Sequence, residues 1–152
     1  MTNQTVENQV YHSMLAEHRE LMREIADLRR WWKELDEFGL PKYGEMGTRL
    51  KELRDHLRAH FEEEEADGYL AAALAAAPRF THDAEYLRAQ HRQFLDTLDR
   101  FTADLQATEP HCCNWEDARR RLEEFLTQLR EHEAAENAIA HAAFGEDIGS
   151  VD

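Results

Sequence analysis

Four successive segments of this chain place apolar residues at steps of three and four, and that spacing constrains the fold more than any other feature. One face of an α-helix repeats at this interval, so each segment has one side to bury and one to leave in water. The first stripe runs Tyr11, Met14, His18, Leu21, Ile25, Leu28, Trp32, Leu35. The second runs Met46, Leu50, Leu53, Leu57, His60, Glu64, Asp67, Ala71, Leu74. The third is Leu87, His91, Phe94, Leu98, Phe101, Leu105, and the fourth is Trp115, Ala118, Leu122, Phe125, Leu129, His132, Glu136, Ile139. Residue choice agrees with the spacing. Val occurs only at Val6, Val10 and Val151 and Ile only at Ile25, Ile139 and Ile148, whereas strands favour β-branched residues and helices favour the Ala, Leu, Glu and Arg that abound here.

Helix breakers separate the segments. Gly39, Pro41 and Gly44 interrupt after about residue 38, Pro78 follows the alanine-rich stretch Ala71 to Ala77, and Pro110 precedes the polar cluster His111 to Asn114. Helices are therefore predicted over about 7–38, 46–76, 82–107 and 114–143, with Thr81 and Asn114 as N-caps of the last two. Connections this short make consecutive helices antiparallel neighbours. The predicted fold is all-α, an up-down-up-down four-helix bundle over residues 1–144, followed by a short acidic tail at 145–152.

The chain of 152 residues is the size of one domain, with 18 Lys plus Arg against 32 Asp plus Glu and a net charge of -14. Nucleic-acid backbones and anionic membranes select basic surfaces, so neither is an expected partner. No apolar run approaches the length of a membrane span, about 18 residues, and the polar start Met1 to Asn8 does not read as a signal peptide. Two adjacent cysteines cannot form a disulfide framework. The expected protein is cytoplasmic, a monomer or a homodimer.

Each stripe is interrupted by polar residues. A buried carboxylate without a partner costs several kcal/mol in a fold whose whole stability is about 5–15 kcal/mol, so Glu64 and Glu136 need a cation. A lone seam histidine is most often a satisfied core residue, but here all four helices carry the same defect. His18, His60, Glu64, His91, His132 and Glu136 supply at least one metal-ligating type per helix, and on two helices a His precedes a Glu by four residues, which puts both on one face. Counted from the helix breaks, the six meet at one height within a turn or two. Four imidazoles and two carboxylates suit two divalent first-row metals, each holding two His and sharing both Glu as bridges. Each ion would then have about four protein bonds, below the six that iron or manganese prefers. Iron suits such a site because vacant positions allow redox chemistry, while zinc would fit without a redox role.

This constellation resembles the hemerythrin-like family, the HHE cation-binding domains, at Ala16-Glu17-His18-Arg19, His60-Phe61-Glu62-Glu63-Glu64-Glu65, Gln90-His91-Arg92 and His132-Glu133-Ala134-Ala135-Glu136. The resemblance covers about Tyr11 to Phe144. It implies a non-heme di-iron centre, two iron ions bridged by oxo or hydroxo, with zinc or manganese as other occupants. The implied partners are small: dioxygen, peroxide or nitric oxide, bound, sensed or turned over. The alternatives are an iron-binding, oxygen-carrying or sensory module without turnover, or a zinc-containing structural bundle. Oxygen-carrying members have a second His one turn before the third-helix ligand, where this chain has Leu87, and a terminal Asp where it has Asn137. These departures argue against reversible oxygen carriage. The four-His, two-Glu set is similar to that of the iron–sulfur-cluster repair proteins, whose extra cysteine-bearing domain has no counterpart in this sequence. Ferritin-type sites use Glu-x-x-His, but Leu15 precedes His18 and Leu129 precedes His132 at that spacing.

Other residues invite blander readings. His56, one turn before His60, is expected at the rim of the site; His12, His82 and His141 lie off the stripes. Glu62 to Glu65 is an exposed run with only Glu64 in register, Glu65 being a neighbour of the site or an alternative ligand. Trp31 is expected at the rim of the core and Tyr11 within it. His111-Cys112-Cys113 is read as a plain loop far from the metal level.

Overall fold

The computed structural model describes residues 2–38, 43–66, 69–107 and 114–145. It consists of α1 (Thr2–Phe38), α2 (Tyr43–Ala66), α3 (Tyr69–Ala76), α4 (Thr81–Gln106) and α5 (Trp115–Ala140), with a 3-10 turn at Pro78–Phe80 and a π turn at His141–Gly145. There is no strand among the described residues. The four long helices run up and down as the predicted bundle, and α3 packs against α1, α2 and α5.

Two apolar clusters fill the interior. The larger joins the C-terminal half of α1 (Ile25, Leu28, Trp32), the N-terminal half of α2 (Met46, Leu50, Leu53), the second half of α4 (Leu98, Phe101, Leu105) and the start of α5 (Ala118, Leu122, Phe125). The smaller joins Met14 of α1, Leu70 and Ala73 of α3, Ala84 and Leu87 of α4, and Ile139, Ala140 and Phe144. That pairing of early with late halves is what antiparallel neighbours produce. It leaves His18, Glu64, His91 and His132 in the layer between the two clusters.

Several boundaries differ from expectation. Within the predicted helix 46–76 the described helices are α2 up to Ala66 and α3 from Tyr69, with residues 67–68 outside the described set. The buried line of α3 differs from the expected one. Ala71 is exposed and Leu74 half-buried, while Leu70 and Ala73 are fully buried; Asp67 lies outside the described residues. Gly44 does not break the chain but sits in the first turn of α2, where its carbonyl accepts from Thr48 Oγ1 at 3.1 Å. α1 starts at Thr2 instead of residue 7, since nothing before Val10 stops a helix once it is nucleated.

Thr81 is the first residue of α4 and not its cap. The turn opened by Pro78 already curls the chain, and Thr81 Oγ1 donates to the Pro78 carbonyl at 2.7 Å. Asn114 does cap α5, its Oδ1 accepting from the Asp117 amide at 2.9 Å. Trp31 is half-buried beneath the Arg49 guanidinium, 3.8 Å from its ring centre. Tyr11 is half-buried and meets Phe144 edge-on. The predicted breakers Gly39, Pro41 and Pro110, the His111-Cys112-Cys113 loop and the tail beyond Gly145 lie outside the described residues.

Candidate metal centre

At the layer between the apolar clusters α1 contributes His18, α2 His60 and Glu64, α4 His91, and α5 His132 and Glu136. All are buried except His60, whose side chain is 10% exposed. Aromatic neighbours fix two of the rings: Phe61 stacks on His91 at 4.0 Å between centres, and Phe94 meets His132 edge-on at 5.2 Å. The structure thus brings together all six residues expected from the sequence. It adds a seventh, Glu133, which is 3% exposed.

The donor atoms form two overlapping groups, His18, His60, Glu64, Glu133 and Glu136 in one and Glu64, His91, His132 and Glu136 in the other, each with its atoms within 4.8 Å of one another. Glu64 and Glu136 belong to both. Glu64 Oε1 lies 2.5 Å from His60 Nε2 and 3.4 Å from His18 Nε2, while its Oε2 lies 3.2 Å from His91 Nε2. Glu136 mirrors it, with Oε2 3.5 Å from His18 Nε2 and Oε1 3.3 Å from His91 Nε2 and beside His132 Nε2. Short as these contacts are, the Nε2 atoms of His60 and His132, Glu64 Oε2 and both oxygens of Glu133 make no hydrogen bond of acceptable angle. Buried polar atoms are normally paired. Atoms this close that do not bond to one another are aimed at a common point, as ligands to a cation are.

The outer faces of the rings reinforce that arrangement. His18 Nδ1 donates to Asn137 Oδ1 and His132 Nδ1 donates to Gln90 Oε1, each at 2.8 Å. His60 Nδ1 faces Glu17 at 3.5 Å and His91 Nδ1 faces Glu65 at 3.7 Å. A proton held on Nδ1 leaves the Nε2 lone pair pointing inward, the tautomer a metal requires. Imidazole nitrogen and carboxylate oxygen without thiolate form a donor set that suits iron, manganese or zinc.

Electrostatics point the same way. Burial would depress the His18 imidazole, but Glu133, Glu136 and Glu64 outweigh it and hold it up to about 12. His60 is held up to about 10 against burial by Glu133 and Glu64. Burial would raise Glu64 and Glu133, but the facing His18 and His60 keep both below the usual carboxylate range. Glu136 goes the other way: burial, reinforced by the Glu64 charge, pushes it up to about 8 despite His18. His132 is lowered to about 4 by burial and by His91. The carboxylates are therefore accommodated by positive charge placed among them, as protons when no metal supplies it.

Sequence reading missed Glu133 because the fourth stripe is two residues wide. Leu126 and Ala140 are both fully buried, one heptad before and one heptad after Glu133, and that second line is the signal that could have found it. The blander assignments hold their places. His56 is exposed and pairs with Glu24 at 2.7 Å, Glu62 and Glu63 are exposed, and Glu65 stays behind His91. His12, His82 and His141 are exposed.

Among the described residues no helix is long and apolar enough to cross a membrane. No curated protein and no solved structure matches the chain. The family model of the hemerythrin HHE cation-binding domain matches residues 9–144. That span contains all seven clustered residues, and the chain belongs to the hemerythrin HHE cation-binding family.

Proposed function

We propose that this protein holds two iron ions, one between His18 and His60 and the other between His91 and His132, with Glu64 and Glu136 bridging them. One observation carries the reading: each of these two carboxylates turns one oxygen toward each histidine pair. Bound there, iron supplies redox chemistry toward dioxygen, peroxide or nitric oxide. The chain's own contribution is to fix the donors. Asn137 and Gln90 hold the His18 and His132 tautomers, while Phe61 and Phe94 pin the His91 and His132 rings. Leu87, 3% exposed one turn before His91, offers no ligand atom. Protein donors therefore do not saturate the centre, which favours reaction or sensing over reversible carriage.

Metal analysis and the optical spectrum of the aerobically purified protein test this. Two irons per chain are expected, and after anaerobic reduction the spectrum should respond to nitric oxide, dioxygen or hydrogen peroxide. Glu64→Ala should lose metal from both positions, whereas His56→Ala should keep full stoichiometry. Stoichiometric zinc, full loading of the Glu64 variant, or a spectrum indifferent to all three small molecules would overturn the reading.

A further inference from the structure

The two halves of the centre are not equivalent. The His18–His60 half is faced by three carboxylates and the His91–His132 half by two, the difference being Glu133. Glu133 Oε2 lies 2.7 Å from His18 Nε2 and Oε1 lies 3.7 Å from His60 Nε2. Neither oxygen makes a hydrogen bond, although the residue is only 3% exposed. A buried carboxylate with two unbonded oxygens is costly unless a cation faces it. We propose that Glu133 is a terminal ligand to the ion held by His18 and His60, and that exogenous small ligands are thereby confined to the ion held by His91 and His132. The proposal rests on the di-iron reading and deepens it.

Donor counting gives the direction. With His18, His60, Glu64, Glu136 and Glu133, the first position has five protein groups of the six that iron prefers; the second has His91, His132, Glu64 and Glu136, hence four. Among the described residues no carboxylate equivalent to Glu133 joins the other group, and the position one turn before His91 is the buried Leu87. The surface agrees. A cavity of about 860 Å³ between α4 and α5 reaches His132, lined there by Leu87, Gln90, Phe94 and Ala135. The groove between α1 and α5, about 500 Å³, also reaches the centre, but Glu133 itself, His18 and Asn137 are among its walls. Approach from that side therefore meets a ligand already in place. The occupant this geometry admits is a small anion or neutral diatomic.

Adjacent alanines provide the test. Ala135 lines the α4–α5 cavity and Ala134 the α1–α5 groove, and both are exposed, so a larger side chain at either leaves the core intact. Azide is the probe, titrated against the oxidised iron-loaded protein and read by absorbance, alongside iron content and the Mössbauer spectrum of iron-57-loaded samples. The wild-type protein should show two distinct iron environments in equal amount and bind one azide per pair of irons. Ala135→Leu should prevent azide binding at full iron content, and Ala134→Leu should not. Glu133→Gln, which keeps the side-chain volume, should weaken one of the two metal-binding steps by at least about tenfold and open a second azide position. Wild-type protein without two irons would remove the di-iron reading and this proposal together. Two irons with unchanged Mössbauer and azide behaviour in Glu133→Gln, or azide blocked by Ala134→Leu instead of Ala135→Leu, would overturn this proposal alone. If Glu133→Gln does not fold, the alanine pair decides.

Discussion

The larger apolar cluster and the layer beside it are built from the same four helices at the same spacing, yet they are held by different forces. In the first, Trp32, Leu50, Leu98, Phe101 and Leu122 are all at most 2% exposed and gain from leaving water whatever the solution contains. In the second, three carboxylates and four imidazoles occupy the same interior positions, and their burial requires positive charge among them. The contrast teaches that this bundle can be folded by one layer and tuned by the other.

The largest expected effect tests the first half of that contrast. Phe101→Ala should cost about 3–5 kcal/mol, and by the same amount with and without metal, as read by denaturant unfolding. A cost that changes on metal loading would show the layers to be coupled.

Metal removal tests the second half. A ligand that binds only the native state at a hundred times its Kd adds about 2.7 kcal/mol, so chelation should lower the melting temperature by the corresponding amount, and equal melting points would break the comparison. The pH dependence should also change sign. In the metal-free protein His18, His60 and Glu136 bind protons more tightly folded than unfolded, so their contribution is present at low pH and is lost as pH rises. For Glu136 the loss runs from 4.5 to about 8, and for His60 and His18 from 6.5 to about 10 and about 12. His132, held down to about 4, loses its contribution as pH falls below 6.5, and Glu64 and Glu133 lose theirs below 4.5. Metal-free stability should therefore decline above pH 6.5. Metal displaces those protons, so the loaded protein should gain on the metal-free one over the same range. Melting curves across pH with chelator and with metal distinguish the two slopes.

A smaller effect concerns the outward hydrogen bonds. Gln90→Leu and Asn137→Leu each remove an acceptor behind a histidine of the cluster and should weaken metal binding by roughly 10–100-fold, read by competition with a chromophoric chelator. Arg29, whose exposed pair with Glu123 spans 2.9 Å on the surface, should matter to neither layer when changed to Ala.

Much of this organisation is legible in the order of residues alone. The three-and-four stripes specify four helices and their inward faces, and the polar interruptions at one height pick out six of the seven clustered residues, because antiparallel helices joined by short loops leave little freedom in their levels. The buried line of α3 is not legible, since every residue from Leu70 to Ala77 is Leu or Ala and any line along that helix is apolar. Packing against α1 and α5 buries Leu70 and Ala73 in place of Ala71 and Leu74.

Sequence by itself determined that these helices must pack and that their buried carboxylates need positive charge, because both follow from hydrophobic burial and from the cost of an unpaired ion. Sequence named Glu64 and Glu136; only the tertiary structure decided that Glu133 joins them. Glu62, Glu63 and Glu133 are the same residue type beside the same kind of His, yet the first two are exposed and the third is buried against His18. The interior face of α5 is two residues wide where it packs against its neighbours, and the width of a buried face is set by the helices around it, not by the periodicity of the helix that carries it.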